Sequence, residues 1–223
     1  MNKIIASTLT TAVLMSTTLM AQDIDVKITN NTNGIYFTPL LISAHTSSTS
    51  LFMAGSAASA NLKAMAEGGD ISGLVGDLDK ANADTISNPA SGLLAPGTSA
   101  TTTLSTASTN NILSVTAMML PTNDGFVGLN GWKIPTKAGT YTINVNAYDA
   151  GTEANSELVA DIPADPGSKI GTGGTGMSSV VEGYVHIHRG TVGDGDATGG
   201  ASDLVSGAHR WLNPVATITV TVK

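Results

Sequence analysis

Three carboxylates are spaced so that they could share a cation. Asp124 closes the apolar run 113–120 and Asp149 closes the alternating run 141–147, so each stands where a strand hands over to a Gly-containing turn. Hard cations such as calcium take several carboxylate and carbonyl oxygens from turns of this kind, and the strand ends of one hairpin can bring both acids together. Glu153, four residues beyond Asp149, offers a third carboxylate. The same two Asp residues also suit Asx hydrogen bonding within their own turns, which requires no ion.

A second constellation is nitrogen-based. In the predicted strand 180–188, Tyr184, His186 and His188 share one face and Val185 and Ile187 the other, and His-x-His on one strand face suits imidazole ligation of zinc or copper. His45 and His209 complete such a set only if the fold brings them near; stacked strand histidines and a hydrogen-bonded His45 are the alternative. Other signatures fail. The sequence Gly193-Asp-Gly-Asp lacks the Gly and terminal Glu spacing of an EF-hand, and the glycines at 171–176 are not followed by the Lys-Ser/Thr of a phosphate loop. No Gly-x-Ser-x-Gly nucleophile motif occurs.

The elements that must position these residues read as strands. Alternation at Val26 and Ile28, apolar runs at 35–44 and 112–120, polar-apolar alternation at 100–105 and 141–147, and Ile218, Val220 and Val222 near the end predict an antiparallel β-sandwich of about eight strands. Pro39 places a bulge or an edge in the second of these. Met118 and Met119 point to opposite faces. Two short inserted helices are expected, one ending at Gly68 and one beginning near Asp70 with Ile71, Leu74, Val75 and Leu78 at helical spacing. The Pro/Gly/Ser-rich stretch 83–97 reads as a loop.

Composition sets the outer bounds. Residues 1–21 carry a positive start, an apolar hydroxyl-rich middle and a small residue before Gln22, the pattern of a secretory signal, which leaves 22–223 as a single domain. No later stretch is long and apolar enough to span a bilayer. The chain has 17 acidic against 10 basic residues, one of the latter being Lys3, so a nucleic-acid partner is not expected. With 0 cysteines there is no thiol chemistry, and the fold rests on its core.

The segments Pro-Thr-Asn-Asp-Gly-Phe-Val-Gly at 121–128 and Tyr-Asp-Ala-Gly-Thr-Glu at 148–153, with Phe-Thr-Pro-Leu-Leu from Phe37 and Trp-Leu-Asn-Pro-Val-Ala from Trp211, resemble the spondin domain, the N-terminal module of the F-spondin and mindin matrix proteins. The resemblance implies a sandwich similar to C2 domains and a calcium-ligand role for Asp124 and Asp149. A third acidic ligand of vertebrate spondin domains falls, by ungapped counting, on Ser105, and the cysteines of those relatives are missing. The expectation is a secreted, non-catalytic domain that binds calcium weakly and an extracellular protein or polysaccharide, in matrix or surface adhesion. Its alternatives are a histidine-based zinc or copper protein or metalloenzyme, and a structural surface-layer component with a vestigial cation site.

Overall fold

A computed structural model describes residues 21–164, 171–174, 181–196 and 199–223. The expected signal segment lies outside the described residues, apart from Ala21. The described chain is almost wholly antiparallel β: β1 Gln22–Asn30, β2 Tyr36–Phe37, β3 Leu41–His45, β4 Asp84–Ser87, β5 Ser99–Thr106, β6 Ile112–Leu120, β7 Gly125–Lys133, β8 Gly139–Asp149, β9 His186–Ile187 and β10 Ala216–Val222. Three short helices accompany them, α1 Ala60–Gly68, α2 Ser72–Lys80 and α3 Ser206–His209.

The all-β fold is as expected, but the two layers are continuous. Strand order is β4-β3-β6-β7-β8-β10-β1-β5, with β2 added to β6 and β9 to β8. The continuity comes from β8, whose first part pairs with β10, Gly139 facing Val222, while its last residues pair with β7, Asp149 facing Gly125. One strand therefore serves both layers. The open edges β4 and β5 approach each other, and Asp84 at the start of β4 accepts hydrogen bonds from the Ala107 N–H (2.7 Å) and Asn110 Nδ2 (2.9 Å) just past β5.

The main core fills the space between the layers, with Val26, Ile28, Phe37, Ile42, Val115 and Ile218 among its buried residues. A second apolar cluster lies between the helices and the outer face of β6 and β7: Leu62, Met65 and Leu78 meet Met118 and Phe126. Because both its faces are covered, β6 is buried from Leu113 to Leu120, and Met118 and Met119 enter different clusters as strand alternation requires. Helix α1 begins and ends where its caps predict, and α2 begins just after Asp70. Ser59 Oγ accepts the Leu62 N–H at 3.1 Å, Gly69 takes the left-handed conformation at φ 70°, and Asp70 Oδ1 accepts the Ser72 N–H at 2.9 Å.

Three expectations are corrected. Pro39 splits the run 35–44 into β2 and β3, both paired to β6, since proline has no N–H for the ladder. The stretch 83–97 contains the short strand β4, which pairs with β3. The strand expected over 180–188 shrinks, among its described residues, to His186–Ile187. Val185 instead exchanges backbone hydrogen bonds with Gly55 and Ser56, so it is buried while Ile187 is exposed.

Candidate functional site

The hairpin of β7 and β8 brings the two turns carrying Asp124 and Asp149 together at one end of the molecule, as the spacing predicts. Thr122 builds the first turn: its Oγ1 donates to the Met119 carbonyl (2.6 Å) and accepts the Gly125 N–H (3.0 Å). Asn123 fastens that turn to the loop beyond β8, accepting the Glu157 N–H and donating to the Asp161 carbonyl, both at 3.2 Å. Asp124 is thus directed across to the second turn. Its Oδ2 accepts the N–H groups of Thr152 (2.7 Å) and Glu153 (3.0 Å) and the Thr152 hydroxyl (3.2 Å). Its Oδ1 is buried and receives no hydrogen bond from the described residues.

Asp149 does close its own turn, accepting the Gly151 N–H on Oδ1 and Asn155 Nδ2 on Oδ2, both at 2.7 Å. The Asx reading therefore describes Asp149, whereas Asp124 joins two turns rather than closing one. Asp124, Asp149 and Glu153 are all buried. Burial, and secondarily the charge of Asp149, pushes the Asp124 carboxyl up to about 6, and burial also raises Asp149. Among the described residues the only basic group within ion-pair distance of either is His186. Two buried acids side by side form an electrostatically costly pair that a divalent ion offsets, and their oxygens suit a hard cation.

The segment 181–190 packs against this turn. Gly151, at φ 68°, lies so close to the Tyr184 backbone that no side chain fits there, and its carbonyl accepts the Gly183 N–H at 3.0 Å. His186 Nε2 consequently stands 3.7 Å from Asp149 Oδ1 and 3.9 Å from Glu182 Oε1. A cleft of about 270 Å³ opens here, lined among others by Asp149, Glu157, Glu182, His186 and His188. The hydrogen bond from the Gly190 N–H to His188 Nδ1 (3.0 Å) places the proton of its neutral ring on Nε2, and burial holds its pKa down to about 4. In this arrangement His188 is a donor rather than a metal ligand.

The other histidines stand elsewhere. His45 pairs with Ile112, at the opposite end of β6 from the Asp124 turn and so roughly 27 Å away along the strand. Both its ring nitrogens are hydrogen-bonded, to Thr46 O and Ser114 Oγ, each at 2.8 Å. His209, the last residue of α3, accepts the N–H of Val205, just before that helix, on Nδ1 at 2.9 Å. Ser105 stands on β5 and donates to Asp23 Oδ1 at 2.6 Å, so the residue reached by ungapped counting contributes nothing to the acidic turns. Glu182 was not singled out from sequence; the one signal for it was its position four residues before His186.

No curated protein matches the chain. The family model described as Spondin_N matches residues 27–176, well over half of the chain, and runs from within β1 to beyond β8, taking in both acidic turns and the inserted helices α1 and α2. On that match, which includes the acid-framed hairpin, the chain belongs to the spondin N-terminal domain family.

Proposed function

We propose that this chain is a secreted, non-catalytic domain that holds calcium at Asp124, Asp149 and Glu153 and binds an extracellular protein or polysaccharide beside that site, in attachment to a matrix or surface. The observation that carries the cation reading is Asp124 Oδ1, buried without a donor next to a second buried carboxylate. Such a group is costly unless a cation or a proton meets it. Backbone carbonyls and water complete the coordination, and a ligand set with few charges gives the weak affinity of extracellular calcium modules.

Docking at this end is supported by the exposed apolar side chains of Tyr184, Ile187 and Val192, which flank the histidine segment. Export rests on the charged and apolar pattern of residues 1–21, and no helix among the described residues is long and apolar enough to cross a membrane. The adhesive role follows by analogy with the matrix proteins that the sequence resembles.

Thermal unfolding in chelator, followed by calcium titration, tests the reading. A ligand that binds only the folded state raises its stability by about 2.7 kcal/mol at one hundred times its dissociation constant. The midpoint rises with calcium in the wild type and stays flat in Asp124→Asn. An unchanged wild-type midpoint at millimolar calcium overturns the cation reading and leaves the two turns as structural devices of a surface component.

A further inference from the structure

We propose that Asp149, Glu182 and His186 form a second metal position, for a borderline transition-metal ion of the zinc class, which shares Asp149 with the calcium position but does not depend on it. Glu182 and His186 lie beyond residues 27–176 covered by the family match.

The geometry suits an ion. One ligand atom from each of the three residues lies within 4.8 Å of the other two. The separations from His186 Nε2, 3.7 Å to Asp149 and 3.9 Å to Glu182, are too long for hydrogen bonds. They approach the roughly 3.4 Å that separates two ligands on a tetrahedral ion with bonds near 2.1 Å. Closing the remaining few tenths of an ångström falls to Glu182, the most exposed of the three side chains.

The imidazole is prepared for ligation. His186 Nδ1 lies 3.1 Å from the Ile187 carbonyl, which accepts only if that nitrogen carries the proton. In the neutral ring Nε2 then presents a lone pair to two carboxylates, an opposition that a cation relieves, and a backbone acceptor on the far nitrogen is the usual support of a metal-bound histidine. Nε2 is itself inaccessible and without a hydrogen bond.

A second observation is independent of these three residues. His188, only 5% exposed, lines the same cleft, and its Nε2 also finds no partner among the described residues. A metal-bound water supplies an oxygen acceptor for that proton. One imidazole with two carboxylates favours zinc over calcium, since nitrogen is a poor ligand for hard cations, and three protein ligands leave a position open to water.

Calorimetric titration of zinc into the metal-free full chain, with and without saturating calcium, tests the proposal. One zinc binds per chain, and His186→Gln and Glu182→Gln each weaken it at least tenfold while the calcium-dependent rise in unfolding midpoint persists. Asp124→Asn has the converse effect, losing the calcium response and keeping zinc. Cobalt substituted for zinc gives visible absorption bands that vanish in His186→Gln, whose circular dichroism reports its folding. Absence of zinc binding, zinc binding undiminished in both Glu182→Gln and His186→Gln, or its loss in folded Asp124→Asn overturns the second position. A chain that ignores calcium yet binds zinc through Glu182 and His186 upholds the inference while the calcium reading fails.

Discussion

Asp124 makes the electrostatics of the site measurable. Its carboxyl titrates near 6 in the fold against an ordinary 3.8, so the folded state holds that proton more tightly than the unfolded chain. Stability that this proton confers on metal-free protein is present below pH 3.8 and is lost as pH rises through about 6. His188 works in the opposite sense: its pKa is lowered to about 4 from 6.5, so folding excludes its proton and stability rises across that interval. Comparison with Asp124→Asn isolates the carboxylate. In urea unfolding without divalent ions, the variant gains on the wild type between pH 4 and pH 6, and calcium at pH 7 returns the advantage to the wild type. A pH-independent difference between the two proteins would show that the buried acid is already compensated. The nearby Gly151 is constrained by shape: Gly151→Ala meets the Tyr184 backbone at positive φ. A loss of about 1–3 kcal/mol is expected in denaturant unfolding, with weaker zinc binding, because the same contact holds the His186 segment against Asp149.

At the scale of elements, the helices and β6 depend on one another. Leu78 is buried in the cluster that covers the outer face of β6, and Leu78→Ala is expected to cost about 2–5 kcal/mol in equilibrium unfolding. Ser59→Ala, which removes the cap of α1, should cost about 1 kcal/mol by the same measurement. These helices were legible in sequence because Ser59, the Gly68-Gly69 pair and Asp70 punctuate them locally. The acidic hairpin was legible for a related reason, since each Asp follows a patterned strand. What escaped the sequence lacked a local cause. Strand β4 has no apolar alternation and exists through its pairing with β3. The alternation over 180–188 suggests a strand, yet Val185 is captured by Gly55 and Ser56 far earlier in the chain. The approach of Glu182 to Asp149 depends on the fit of Gly151 against Gly183 and Tyr184, a tertiary contact that neither segment advertises.

For the whole molecule, the near-closure of the sheet is secured at its seam by Asp84. Asp84→Ala leaves the Ala107 N–H and Asn110 Nδ2 without their acceptor and is expected to cost about 1–3 kcal/mol, with faster hydrogen exchange in β4 and β5 than in β6. Uniform exchange through all three strands would mean that the seam opens only with global unfolding. The path of β8 sets the polarity of the domain. At Gly139 it pairs with Val222, which is also paired with Ile24, so the first and last strands meet at one end. Asp149 lies ten residues further along, roughly 33 Å of strand away. A tether at either Gln22 or Val222 therefore holds the domain by the same pole. It leaves the acidic turns, the cleft and the apolar side chains beside them facing outward, like the tip of a probe whose handle is the start of β1 and the end of β10.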